Sequence, residues 1–427
     1  MSHKQQLIRN FMGVGVMNLI SIPISLATSI ILARVLGPEH FGQYAFVMAL
    51  VPLLALPVSG GLPQLLTREV AAFAHSGSWS FYKGALKAAH GWVLAGSVII
   101  LGTFWFFRVG FELIPSDGKW ALLPVAVLIV PLLGLGAIRN GAIKGLGRPA
   151  YAEMPQQFIQ PIFILVFVAT AAWFGVLDTK KAIWAQVIGA VVVFLIACWM
   201  FYRVHPAQAN HFEADFKWAS WGRSLLPFSL LALVSTLNAQ IGIIFLGMLS
   251  SDDQVAAMRV AERGGQFVVL SLTLVNMVIA PYIVQAHQDS DRIKLQQLAQ
   301  RCARGSFVLS LPVALALIFG GEKLVSLVFG QDYASISYFP VLIIALGQLL
   351  NVFFGSVGHL LSMSGNEKYT LVGQVIAVVL NVLLCLMLIP SFGAVGAAIA
   401  VSISIVVWNL VLAYFVFQKL KIRPTAF

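Results

Sequence analysis

Long apolar runs, separated by short polar segments, dominate the chain. A helix that crosses the roughly 30 Å hydrocarbon core of a bilayer needs about 20 mostly apolar residues. We identify twelve such runs, near residues 11–33, 43–65, 89–108, 120–141, 155–176, 182–202, 225–249, 266–285, 305–321, 339–360, 370–390 and 393–417. The pattern therefore predicts an all-α integral membrane protein with about twelve transmembrane helices.

The composition of the 427 residues supports this class. The chain is 59% hydrophobic and 10% charged, whereas a typical soluble domain is about 45–50% apolar and about 25% charged. A soluble fold of this length could not bury so much apolar surface, so lipid must cover the remainder.

The distribution of basic residues predicts the orientation. If the N-terminus is cytoplasmic, 19 of the 27 Lys and Arg residues fall in cytoplasmic segments. The positive-inside rule then places both termini in the cytoplasm. We interpret the net charge of +11 as a topology signal and expect no nucleic-acid partner.

The sequence lacks the motifs of several chemistries. It contains no P-loop, no HExxH motif and no Cys/His cluster, and its Ser, His and Asp residues do not form a set in one region. We expect no metal site, no cofactor and no catalysis. A membrane-bound glycan polymerase or ligase is an alternative class, but it would need a long outer loop and a catalytic base, and the predicted outer loops are short.

Two predicted cytoplasmic segments have the character of surface helices. Residues 78–87 mix aromatic side chains with lysines, and residues 289–304 are amphipathic and basic. We predict that both lie on anionic headgroups; the alternative is that they grip a lipid pyrophosphate.

A weak internal repeat relates the two halves. Residues 147–151 match 365–369, Gln156 matches Gln374, and Phe174-Gly175 matches Phe392-Gly393, all at one offset of 218 residues. Each half contains six apolar runs, an even number, so both halves enter the membrane from the same side. The repeat predicts two parallel six-helix bundles, residues 1–215 and 216–427, with a central cleft and alternating access.

Four segments carry a resemblance to a known family. Residues 31–44, ILARVLGPEHFGQY, resemble the turn after the first span of Wzx-type polysaccharide flippases, which belong to the multidrug/oligosaccharidyl-lipid/polysaccharide exporter superfamily. Residues 145–149 (GLGRP), 329–333 (FGQDY) and 393–398 (GAVGAA) are similar to later family segments in the same order. The segment 251–259 departs from the family, because only its Ala-Ala-x-Arg end is kept.

The resemblance implies a function. Wzx-like flippases move undecaprenyl-pyrophosphate-linked oligosaccharide repeat units from the cytoplasmic to the periplasmic leaflet of the bacterial inner membrane, for O-antigen, capsule or exopolysaccharide synthesis. It also implies partners: the lipid-linked oligosaccharide, membrane lipids, a polysaccharide polymerase and chain-length proteins. A drug/cation antiporter of the same superfamily is the alternative, and it would need acidic residues at mid-membrane. Glu262 and Glu153 are the nearest candidates.

The family layout points to substrate-binding and gating residues. The predicted substrate-binding residues are Asn18, Arg34, Asn238, Gln240, Arg259, Arg263 and Asn276. Glu262, Arg68 and Glu69 are the predicted gating or coupling residues. Each prediction has a plainer alternative: the arginines extend to the headgroups, the asparagines bond neighbouring helices, and Arg68 and Glu69 form a solvated pair.

Overall fold

The computed structural model describes residues 3–110, 115, 117–289 and 291–426; the side chains of residues 3–14, 110, 280 and 281 are outside this description. Within these ranges the ordered backbone is helical and contains no strand. The α-helices are α1 (His3–Ser59), α2 (Leu62–Ser76), α3 (Trp79–Trp105), α4 (Leu123–Ala126), α5 (Ile129–Gly145), α6 (Pro149–Met154), α7 (Gln160–Trp173), α8 (Thr179–Val204), α9 (Trp218–Leu249), α10 (Asp252–Gln288), α11 (Arg292–Phe329), α12 (Ala334–Phe354), α13 (Val357–Met363) and α14 (Glu367–Leu420).

The helices account for the predicted spans. In the part of the chain that the structure describes, nine helices are long and apolar enough to cross a membrane, and a bent pair in α10 makes ten. Two of these are far longer than one crossing: Gly15–Ser76 has 62 residues and Glu367–Leu420 has 54. Counting each as two spans agrees with the predicted twelve. The protein is an all-α, multi-pass membrane protein.

Glycine and proline mark where the long helices break. Gly37 in α1 (φ 74°, ψ 171°) and Gly393 in α14 (φ 54°, ψ −129°) have non-helical backbone. L-residues rarely adopt a positive φ, so glycine suits both breaks. Pro155, which has no N–H to donate, begins the π-helical turn Pro155–Ile159 that joins α6 to α7.

The chain forms two compact units that do not follow sequence order throughout. Unit 1 contains the residues up to Val35 together with Val47–Thr236. Unit 2 contains Leu36–Phe46 together with the residues from Leu237 onward. The division into bundles 1–215 and 216–427, and the cleft, stay predictions.

In unit 1, small residues allow α5 to pack closely on α2. A Cβ on Gly141 would lie 2.7 Å from the carbonyl oxygen of Pro63, and one on Gly145 would lie 2.7 Å from Cβ of Val70. Close backbone approach through small residues is the usual packing of membrane helices. The core between the helices includes the fully buried Val58.

Unit 2 is organised around α10, α11, α12 and α14. The helix α12 packs against the other three, and α13 packs on α14. A buried cluster that includes Ile283, Leu360 and Leu412 joins α10, α13 and α14. Ser402 Oγ donates to the carbonyl oxygen of Ile343 at 3.1 Å, a polar contact between α14 and α12.

The internal repeat is visible in the backbone. Gly147 (φ 79°) precedes α6, which begins at Pro149, and Gly365 (φ 74°) precedes α14, which begins at Glu367. The first residues of these two helices, Pro149 and Glu367, are separated by the same 218 positions as the sequence repeat. The other glycine pair of the repeat, Gly175 (φ 66°) and Gly393 (φ 54°), also shares a positive φ.

Neither predicted surface helix is a separate element. Residues 79–87 are the first turns of α3, and Tyr82 there is fully buried. Residues 292–304 likewise begin α11, which continues without interruption into its apolar part. A separate surface helix was the wrong prediction for both segments, because each one continues into an apolar helix. Residues 79–87 also pack against protein: the carbonyl oxygen of Ser80 accepts from the backbone N–H of Asp215 at 3.1 Å. Contact of either segment with anionic headgroups stays a prediction.

Candidate functional site

Two of the segments that resemble the family meet beside the start of α10 in unit 2. The ring centroids of Phe41 and Tyr333 lie 6.3 Å apart in an edge-to-face arrangement. Gly42 lies so close to the carbonyl oxygen of Asp252 that a Cβ would overlap it. The segment Leu36–Phe46 is thus built into unit 2 by contacts that need an aromatic ring and a glycine at these positions.

A third segment joins them through Gln254. Its Oε1 accepts a hydrogen bond from the backbone N–H of Ala394 at 2.9 Å. This N–H directly follows the break at Gly393, where the helix leaves backbone groups without helical partners. The sequence between Ser251 and Gln254 departs from the family pattern, yet it supplies the side chain that caps the GAVGAA segment.

An ion pair lies two turns into α10. Arg259 Nη1 and Glu262 Oε2 are 2.9 Å apart, and their side chains are 17% and 21% exposed. Arg259 Nη2 also donates to the carbonyl oxygen of Ala45 at 3.3 Å. Residues three and four apart share a helix face, so Arg263 lies on the same face as this pair.

Arg263 is less fully satisfied than Arg259. Its Nη1 donates to Gln266 Oε1 at 3.1 Å. Its Nε is buried and has no acceptor among the described residues. Two guanidinium groups against one carboxylate leave the cluster of Arg259, Glu262 and Arg263 with a net positive charge. Such a charge in an apolar helical protein needs an anion or water.

Arg34 and Asn18 lie on α1 in unit 1. Arg34 is exposed, three residues before the break at Gly37. Asn18 is half-buried, and its backbone carbonyl accepts from Ser21 Oγ at 3.1 Å. The convergence of Arg34 with Arg259 stays a prediction.

The polar residues predicted on the spans 225–249 and 266–285 make contacts between helices of unit 2. Asn238 Nδ2 donates to the carbonyl oxygen of Gln374 at 3.3 Å, which links α9 to α14. Asn276 Oδ1 accepts from Ser356 Oγ, beside α13. Both contacts fit the alternative of helix packing. Gln240 Oε1, by contrast, is buried without a hydrogen-bond donor among the described residues.

Arg68 and Glu69 form the expected pair on α2. Arg68 Nη2 lies 2.7 Å from Glu69 Oε1, and the side chains are 50% and 14% exposed. The Arg68 guanidinium also lies over the ring of Phe228, 5.6 Å from its centroid. A gating role for the pair stays a prediction.

Unit 1 contains a pocket that the sequence analysis missed. It has a volume of about 200 Å³ and lies between α2, α3 and the first turns of α9. Trp92, Trp218 and Trp221 contribute to its walls, and Glu69 is its acidic residue. The spacing of Trp218 and Trp221 by three residues, just before the predicted span 225–249, was the available signal. Nothing in the sequence indicated that Trp92 lies opposite.

The geometry defines a class: a multi-pass helical membrane protein with a partly buried, net-positive cluster on α10. Residues 7–287 match the sequence profile of a family described as polysaccharide biosynthesis protein, and residues 227–387 match the MatE family. The first match covers more than half of the chain. The chain belongs to the polysaccharide biosynthesis protein family, and its predicted place in the exporter superfamily is confirmed.

Two curated relatives cover most of the chain. A probable low-salt glycan biosynthesis flippase, Agl15 of Haloferax volcanii, is 24% identical over 92% of this chain and 79% of its own length. The lipid II flippase MurJ of Burkholderia cenocepacia is 23% identical over 76% of this chain and 66% of its own length.

Solved structures share the fold. An inward-facing multidrug resistance MATE family transporter of the MOP superfamily has a TM-score of 0.75 at 14% identity, covering 95% of this chain and 98% of the other. The lipid II flippase MurJ in an inward closed conformation has a TM-score of 0.71 at 14% identity, covering 94% and 86%. At these identities the likeness establishes the fold.

Proposed function

We propose that the protein is a flippase that translocates undecaprenyl-pyrophosphate-linked oligosaccharide repeat units from the cytoplasmic to the periplasmic leaflet. It does so in the bacterial inner membrane, with both termini cytoplasmic, and its cargo feeds O-antigen, capsule or exopolysaccharide synthesis. The family membership and the two flippase relatives support this proposal.

The net-positive cluster of Arg259, Glu262 and Arg263 on α10 is the observation that carries the proposal. A pyrophosphate and a sugar headgroup cannot cross hydrocarbon unaided, because each unpaired polar group costs several kcal/mol there. Arg259 is held by Glu262 and by the carbonyl of Ala45. Arg263 keeps a buried Nε donor that has no acceptor within the described part of the chain. Arg263 is therefore the better candidate to contact an anionic headgroup. Arg259 is the better candidate to position that headgroup.

The antiporter alternative needs a carboxylate that is available to a cation. Glu262 is paired with Arg259, and Glu153 is paired with Lys144. Both candidate carboxylates are thus already engaged by a basic side chain. This arrangement favours the flippase.

Deletion and complementation in the source organism test the proposal. The deletion should trap the lipid-linked repeat unit in the cytoplasmic leaflet and remove the surface polysaccharide. Wild type should restore both, whereas Arg263→Ala should fail at normal expression. Lys323→Ala is the matched control, since Lys323 is an exposed cation on the same predicted side of the membrane. Unchanged surface glycan with raised drug sensitivity would instead establish the antiporter.

A further inference from the structure

Two lysine side chains meet at one tyrosine ring in unit 2. Lys368 and Tyr369 lie in the first turn of α14, and Lys419 lies in its last turn. The Nζ atoms of Lys368 and Lys419 lie 5.1 Å and 5.0 Å from the centroid of the Tyr369 ring. Because the helix breaks at Gly393, residues from its opposite ends meet at this ring.

The two ammonium groups have no carboxylate to balance them. In the described ranges neither Lys368 nor Lys419 forms an ion pair, and Glu367, although next to Lys368 in sequence, pairs with neither of them. One lysine beside an aromatic ring is stabilised by the cation–π attraction. A second lysine at the same ring is repelled by the first. Such a pair attracts an anion.

The fold fixes the positions from which these lysines extend. The rings of Tyr369 and Phe415 have centroids 4.5 Å apart, which holds the tyrosine against the end of α14. Beyond Lys419, the backbone of Arg423 exchanges two hydrogen bonds with the side chain of Gln296, each 2.7 Å long. Binding of an anion would therefore require little ordering of the backbone.

The internal repeat shows that the fold does not require the lysine pair. Tyr151 in unit 1 matches Tyr369 at the offset of 218 residues. At the same offset, Ala150 matches Lys368 and Phe201 matches Lys419. The tyrosine is thus present in both halves, whereas the two cations belong to the second half alone.

We propose that Lys368 and Lys419, which meet at Tyr369, bind the phosphate group of an anionic phospholipid in the cytoplasmic leaflet. By the predicted topology both ends of α14 are cytoplasmic, and that leaflet attracts basic side chains near its surface. This site is separate from the cluster on α10, and the proposal goes beyond the translocation of a lipid-linked glycan.

The surface beside Lys419 favours a lipid over free phosphate. Leu410, Tyr414 and Phe417 lie on one face of α14, and each is more than half exposed. Exposed aromatic side chains near the end of a membrane helix lie at the level of the headgroups. A phospholipid held at Lys419 can place an acyl chain along this face, and free phosphate gains nothing from it.

Removal of the two charges tests the proposal. Lys368→Gln/Lys419→Gln removes both ammonium groups from exposed positions, so the fold should persist. Lys421→Gln/Arg423→Gln is the matched control. It removes the same charge from two exposed residues beyond the end of α14, neither of which is one of the two cations at the Tyr369 ring.

Purified full-length protein in detergent is titrated with dioleoylphosphatidylglycerol and with dioleoylphosphatidylcholine, and bound lipid is counted by native mass spectrometry. Wild type should bind the anionic lipid more tightly than the zwitterionic one. In Lys368→Gln/Lys419→Gln the dissociation constant for dioleoylphosphatidylglycerol should rise about tenfold or more. Binding of dioleoylphosphatidylcholine should not change, and the control variant should match wild type.

An equal loss in both double variants would overturn the proposal, because binding would then follow the overall charge of this surface. Unchanged binding in Lys368→Gln/Lys419→Gln would overturn it as well. Displacement of the lipid by inorganic phosphate, at an ionic strength matched with sodium chloride, would overturn the assignment to a lipid. If the double variant melts early in detergent, the single variants Lys368→Gln and Lys419→Gln provide the same comparison.

Discussion

Arg259 Nη2 donates a hydrogen bond to the carbonyl oxygen of Ala45 at 3.3 Å, across 214 positions of sequence. The same guanidinium holds Glu262 through Nη1 at 2.9 Å. One side chain thus ties the segment Leu36–Phe46 to α10 and neutralises the carboxylate beside it. In the described ranges Arg263, one position beyond Glu262, has no equivalent set of contacts: its Nη1 donates to Gln266, and its buried Nε has no acceptor there.

The two arginines should therefore respond differently to truncation. Arg259→Ala leaves Glu262 without its partner and should destabilise the protein by about 1.5–3 kcal/mol, the range for hydrogen bonds to charged groups. Arg263→Ala should leave the melting temperature in detergent near wild type but abolish translocation. Thermal unfolding and proteoliposome transport measure the two effects.

The double variant Arg259→Ala/Glu262→Ala provides the control. Removing both charges should recover part of the stability lost in Arg259→Ala, because no unpaired carboxylate remains. Additive losses from the two substitutions would show that the pair is not coupled.

Two glycines of the first family segment should differ in their tolerance of alanine. A Cβ on Gly42 would overlap the carbonyl oxygen of Asp252, whereas Gly37 has open space but a positive φ. Gly42→Ala should cost more than about 4 kcal/mol, an exceptional value for one substitution. Gly37→Ala should cost only the backbone strain of about 1–3 kcal/mol. Folded yield and melting temperature in detergent measure both, and equal losses would contradict the assigned contact.

The repeat offers a second matched pair. Gly175 and Gly393 share a positive φ, but only Gly393 is crowded: a Cβ there would lie 2.7 Å from Gln254 Oε1. Gly175→Ala should cost about 1–2 kcal/mol for the left-handed backbone alone. Gly393→Ala should cost more, and Gln254→Ala in the same chain should relieve part of the excess. If Gly393→Ala destabilises the protein no more than Gly175→Ala does, the capping contact of Gln254 contributes little to stability.

Asp178 should make stability depend on pH in the acid range. It caps α8, with Oδ1 accepting from the backbone N–H of Lys181 at 2.7 Å and Oδ2 lying 3.2 Å from Lys181 Nζ. Partial burial by itself would raise the pKa of the Asp178 carboxyl, but these bonds outweigh it and hold the pKa below its ordinary 3.8. A depressed pKa in the folded state stabilises the protein above the unfolded value, and this contribution is lost as pH falls through the folded value.

The comparison of wild type with Asp178→Ala measures this effect. At pH 7 the variant should lose about 0.5–2 kcal/mol, the usual contribution of a helix N-cap. The difference in melting temperature should shrink as pH falls below 3.8. A difference that stays constant down to pH 3 or so would mean that the charge of Asp178 does not contribute.

The sequence by itself determined the class, the spans and the repeat. Apolar runs of about 20 residues must form lipid-covered helices, because lipid offers backbone groups no other partner. The offset of 218 residues predicted equivalent turns, and Gly147 and Gly365 confirm it with the same left-handed backbone before equivalent helix starts. The family segments were likewise readable in order along the chain.

Only the tertiary structure decided which of these segments touch. The assignment of Leu36–Phe46 to unit 2 depends on two contacts. Gly42 packs against the backbone of Asp252, where a side chain would clash, and the ring of Phe41 packs against that of Tyr333. The tryptophan pocket depends on α3 and α9 facing each other in space. Amphipathic periodicity indicates that the apolar face of a helix is covered. It does not show whether lipid, headgroups or another helix covers that face. Residues 79–87 illustrate this ambiguity: their sequence predicts a separate surface helix, whereas in the structure they are the first turns of α3, with Tyr82 buried.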